Sequence, residues 1–193
     1  RRLDPAERRE LRLAIARRLA PVPELFAAAA EQYLPVAGAV DDPTERRDAV
    51  GLLRRAADQA ALIGDHALVE ALLAAAVRLV DPADTGTVVE LRTGRHAALF
   101  SQGRLAEADE EYRAIEAARP SAFDRAEATA VQVRSLSHRT RFAEALELGL
   151  RTLAECGIAV PDTGRFADEL GDGFDRLSAW LETDPADDLT RPE

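Results

Sequence analysis

Three short turns, Gly64-Asp65-His66, Gly103-Arg104-Leu105 and Thr140-Arg141-Phe142, recur at intervals of 37 to 39 residues. Each lies between two alanine- and leucine-rich segments of helical length. The second segments cover 67–80, 106–118 and 143–156. A helix–turn–helix unit of this period cannot bury its apolar face alone and stacks on its neighbours. Connections of two to four residues between the paired helices force them antiparallel. The spacing therefore predicts an all-α chain, a right-handed α-solenoid of stacked antiparallel hairpins with about nine helices. A single long four-helix bundle is the competing arrangement.

Composition agrees with close-packed helices. Hydrophobic residues make up 47% of the 193 positions but aromatics only 5%, so the apolar content is mostly Ala, Leu and Val. Ala and Leu are strong helix formers, and β-branched residues never run together for long. No stretch has the 18 uncharged apolar residues of a membrane span, and the N-terminus lacks the apolar segment of a signal peptide.

Absences sharpen the reading. There is no Met, even at position 1, which points to a fragment of a longer protein. All 25 basic residues are Arg, and Asn is missing too, a usage like that of high-GC bacterial coding. Without Lys, no P-loop, Schiff-base site or kinase core can be complete in this chain. Cys156 stands alone, so no internal disulfide forms, and a reducing cytoplasm is expected.

The net charge of −10 is unevenly placed: residues 1–20 carry +4 and residues 161–193 carry −7. An acidic chain is poorly suited to phosphate backbones, so no direct nucleic-acid partner and no membrane partner is expected. The basic first helix reads as a solvated face, with an acidic neighbouring domain as the alternative.

Helix starts are legible. Asp4-Pro5-Ala6-Glu7 and Asp42-Pro43-Thr44-Glu45 each place Asp at the N-cap, Pro at the first position and Glu at the third. Asp81-Pro82-Ala83-Asp84, Ser121-Ala122-Phe123-Asp124 and Asp184-Pro185-Ala186-Asp187 vary the theme. Helices are predicted over about 5–20, 23–39, 43–63, 66–80, 84–102, 105–118, 122–138, 142–156 and 163–182. Pro35 is a candidate kink in the second. The organisation expected is 1–40 as linking N-terminal helices, 41–160 as three hairpins, 161–182 as a capping helix and 183–193 as a frayed acidic tail.

The repeats resemble tetratricopeptide repeats, the middle unit most closely. Gly103, Ala108, Tyr112 and Pro120 fall where that motif has its turn glycine, small residue, aromatic and terminal proline. Gly64 and Ala76 match in the first unit, Phe142 and Ala145 in the third. Val69, Gly149 and Gly157 depart from the pattern, and the motif's early Trp and Leu are absent, with Arg92 and Arg95 in their place in the middle unit. The order of segments 11–19, 24–32, 45–61, 103–108 and 141–150 also resembles the helical region that follows the ATPase module of large bacterial STAND-type signalling proteins. That resemblance implies a regulatory arm without an active site of its own.

Direct signs of catalysis are lacking. His66, His96 and His138 are unpaired at i,i+4, and Cys156 is remote from them in sequence, so no metal, cofactor or catalytic residue is expected. Glu107, Asp109, Glu110 and Glu111 read as a solvated face with Arg104 and Arg113 in pairing reach. Phe174 and Trp180 read as cover for a last apolar face. Arg54, Arg55, Arg92 and Arg95, on the first helices of their hairpins, are candidate forks for an acidic partner. The function expected is a non-catalytic scaffold for protein–protein or interdomain contact within a signalling ATPase or transcriptional regulator. The alternative is the ligand-sensing domain of a transcriptional activator, holding a small molecule in the groove.

Overall fold

The structure of the chain, a computed structural model, describes residues 4–161 and 164–182. Among the described residues there are nine α-helices and no strand. The helices are α1 (Pro5–Leu19), α2 (Phe26–Tyr33), α3 (Pro43–Leu62), α4 (His66–Leu79), α5 (Thr85–Ser101), α6 (Leu105–Ala117), α7 (Ala126–His138), α8 (Phe142–Glu155) and α9 (Phe166–Glu182). The tail expected to fray, 183–193, lies outside the described residues.

The N-caps form largely as the residue pattern dictates. Asp4 and Glu7 close a reciprocal capping box, at 2.8 and 2.9 Å. Asp42 accepts from the amides of Thr44 and Glu45, at 3.0 and 2.8 Å. Glu45, however, does not fold back to its own cap. Its carboxylate receives the Arg17 guanidinium of α1 at 2.8 and 3.0 Å and the Tyr33 hydroxyl of α2 at 3.1 Å, tying three helices together.

Two predicted helices begin later than expected, and one cap differs. The second predicted helix opens with a 3-10 turn, Pro23–Leu25, continues as α2 and gives way to another 3-10 turn, Leu34–Ala39, at Pro35, which has no amide to give an α-helix. Asp84, not Asp81, caps α5, accepting from the Thr87 amide at 3.1 Å. Ser121 and Asp124 bond each other in a turn, and α7 begins only at Ala126. Phe123 is 73% exposed, so burial gives that turn no reason to wind into the helix.

The hairpin turns share one geometry. Gly64, Gly103 and Thr140 have φ of 75°, 72° and 59°. The next residue's amide reaches back to the fifth residue before it: Asp65 to Ala60, Arg104 to Leu99 and Arg141 to Leu136, each at 3.0 Å. This is the Schellman closure, in which a left-handed residue satisfies the last carbonyls of a helix.

The chain divides into two compact units, Arg1–Thr152 and Leu153–Glu193. Within the first, α1 packs on α2, α2 on α3, α3 on α4, α4 on α5 and α5 on α6, while α7 lies against both α5 and α6. One buried cluster runs from Leu13 of α1 to Ala98 of α5. A second gathers Val89, Tyr112, Ile115, Ala128, Leu136 and Leu148. Truncating a fully buried residue such as Ile115 to Ala costs about 2–5 kcal/mol. Gly94 permits the close approach of α5 to α4, since a Cβ there meets Leu73 Cδ1 at 2.9 Å. In the second unit, α9 leaves Phe166, Leu170, Phe174, Leu177 and Trp180 exposed along one face.

Candidate functional site

The first helices of successive hairpins, α3, α5 and α7, border an open groove of ≈ 540 Å³. Leu73, Val89, Leu91, Ala118 and Pro120 give it an apolar lining, reached from α4, α5 and the α6–α7 connection. Asp58, Glu90, Asp124 and Glu127 stand along it, against Arg54 and Arg119. On the other side of Arg54 a second groove of ≈ 610 Å³ has the opposite balance, with Arg46, Arg47 and Arg54 facing Asp81 and Asp84.

The four arginines singled out by position are engaged within the chain. Arg54 is ion-paired with Glu90. Arg55 lies over the Phe26 ring, its guanidinium carbon 4.3 Å from the ring centroid. Arg92 donates to Glu111 at 2.7 Å, and Arg95 bonds both Glu111 at 2.5 Å and Glu70 at 3.0 Å. An acidic partner at Arg92 or Arg95 must compete with carboxylates already in place.

Glu111 corrects the reading of residues 107–111 as one solvated face. It is only 5% exposed, while Glu107 and Glu110 remain in solvent. The signal was present in the spacing: Ala108, Glu111, Tyr112 and Ile115 follow three- and four-residue steps on the buried side of α6. From Glu111 a ladder of ion pairs continues through Arg95, Glu70 and Arg104 to Glu107, joining α4, α5 and α6.

A second polar chain links α5, α6 and α7. Arg139 holds Asp109 with two bonds, at 2.7 and 2.8 Å, and Gln132 donates to the same carboxylate at 2.8 Å. The Arg139 guanidinium keeps the Asp109 carboxyl below its usual range, with Gln132 adding to the effect. Because the Gln132 amide nitrogen points at Asp109, its carbonyl oxygen faces His96 Nε2 at 3.1 Å, which fixes that nitrogen as the donor. Nδ1 of this fully buried ring has no partner, and burial pushes its pKa down, so His96 is neutral.

The repeat-type residues occupy distinct environments. Ala76, Ala108 and Ala145 are buried in their helices. Tyr112 stacks obliquely on His96, with ring centroids 5.6 Å apart, and its hydroxyl meets Thr129 Oγ1 of α7 at 3.0 Å. Gly64 and Gly103 form the turns, and Pro120 borders the groove. Phe142 is 64% exposed; with Leu146, Leu150 and Leu153 it forms the outward stripe of α8. His66 contributes its backbone carbonyl to Gln102 at 2.9 Å, and His138 lies against Phe100. No group of three or more His, Cys, Asp or Glu among the described residues is arranged to hold a metal ion. No helix among them is long and apolar enough to cross a membrane.

No family model, no curated protein and no solved structure matches the chain. The residues and their geometry therefore carry the functional argument.

Proposed function

We propose that this chain is a non-catalytic, tetratricopeptide-like scaffold, a solenoid of hairpins that acts through protein–protein or interdomain contact. The observation that carries this reading is the groove along α3, α5 and α7, one helix from each of three successive units. A surface repeated at unit intervals suits an extended segment that crosses several helices. The groove is open, and charged residues stand along it, which favours a protein segment over an enclosed small molecule. On this reading the chain serves as a regulatory arm in a larger signalling ATPase or transcriptional regulator.

Recovery of the reading frame around this chain tests the arm. A nucleotide-binding module before it and an output domain after it are the expected result. A frame without either would overturn the regulatory-arm role and leave a stand-alone adaptor.

A further inference from the structure

We infer that the groove along α3, α5 and α7 takes a cationic protein segment, one that alternates Arg or Lys with apolar side chains. The inference deepens the scaffold reading and rests on it. Three observations carry it.

The first is the charge left over once internal pairs are formed. Arg54 is neutralised by Glu90. Asp58 and Glu127 make no hydrogen bond or ion pair among the described residues, and Asp124 bonds only the neutral Ser121. With Arg54 paired, Arg119 is the cation among the described groove residues left to oppose these three carboxylates. Its φ of 52° fixes the bend before Pro120 at the edge of the groove. Acids standing beside an apolar wall focus negative potential into the space between them and attract cations.

The second is the lining itself. Leu73, Val89 and Leu91 come from two helices and offer apolar contact between the charges, so bare electrostatic attraction is not the whole of the recognition. The third is Thr93, which also lines the groove. It is 6% exposed, and its hydroxyl has no partner. A buried donor left open in this way is uncommon. A carbonyl or amide oxygen of an occupant would satisfy it once the Thr93 side chain turns toward the groove.

The opposite expectation, an acidic partner gripped by Arg92 and Arg95, meets a physical obstacle. Both guanidiniums are already bonded to the 5%-exposed Glu111, and releasing them would leave that carboxylate unpaired. The sign of the available charge is therefore negative.

A random 12-residue peptide library panned on the protein tests this, with the Asp58→Asn/Glu127→Gln double variant as counter-selection. Clones that bind only the unmodified protein should carry net positive charge with apolar residues between the cations. The strongest clone, made as a labelled peptide, should lose about tenfold in affinity to the double variant. It should change less than about twofold against Glu110→Gln/Glu147→Gln, a control that removes two exposed acids outside the groove. Thermal unfolding of both double variants verifies that each remains folded. Equal losses in the two would reduce the effect to general attraction by a chain of net charge −10 and overturn the inference. Enrichment of acidic clones would overturn the sign while the scaffold reading stood. A library with no clone that distinguishes the groove variant would overturn the inference, while the scaffold reading stands or falls by the reading frame around the chain.

Discussion

Thr140 sits at a φ of 59°, a conformation that Gly64 and Gly103 adopt at the two equivalent turns. A β-branched residue in the left-handed region bears a steric cost of roughly 1 kcal/mol that glycine does not. Its hydroxyl bonds the Arg139 carbonyl at 2.7 Å, but in an exposed position where water can replace it. Thr140→Gly is therefore expected to stabilise the protein by about 0.5–1 kcal/mol, and Gly103→Ala to destabilise it by about 1 kcal/mol. Urea unfolding of the two variants checks the pair. A destabilised Thr140→Gly would show that the local bond outweighs backbone strain.

At the scale of the element, α6 is held to its neighbours by charge as well as by Tyr112 and Ile115. Glu111 is the single carboxylate that serves both Arg92 and Arg95. Removing it leaves two guanidiniums, each about three-quarters buried, without their common partner. Glu111→Ala is expected to cost about 3 kcal/mol, whereas Glu110→Ala on the exposed face should stay within about 0.5 kcal/mol. Similar losses for both would mean that the ladder contributes no more than a surface pair. Much of this element was legible beforehand. The three- and four-residue rhythm marks which side of α6 is buried, and Glu111 lies on that side. What the rhythm cannot supply is the partner, because Arg92 and Arg95 lie 19 and 16 residues away on another helix.

At the scale of the whole molecule, stability against pH reports several of these contacts together. His96 has a pKa depressed by burial, so the unfolded chain binds its proton first as pH falls. Its contribution is fully present above about pH 6.5 and declines below it. Glu45 and Asp109, held down by Arg17 and Arg139 respectively, contribute above about pH 4 and lose that contribution as pH falls through their lower folded values. Tyr33, desolvated and bonded to Glu45, is pushed up to about 12, so its contribution fades only as pH rises from about 10 toward that value. Denaturant unfolding should thus show two acid steps, one below pH 6.5 and one below pH 4. His96→Gln should flatten the first and leave the second. An unchanged slope between pH 7 and 5 in that variant would remove His96 from the account.

The residue order alone determined the helices, their turns and their exposed pairs, because each depends on groups within about five positions. Caps at Asp4 and Asp42, the Gly64 and Gly103 turns, and the Arg104–Glu107 pair are all of this kind. The displaced cap of α5 and the displaced start of α7 show the limit of that reach, since Asp81 and Ser121 carry cap chemistry that a neighbouring turn uses instead. Tertiary packing decided the rest. It turned Glu45 from a helix cap into the partner of Arg17 and Tyr33, and it turned four candidate binding arginines into internal contacts. It also brought Asp58, Asp124 and Glu127 to a single groove across 69 residues of chain. The physical reason is that charge is read by distance in space, and the helices set that distance only after they have packed.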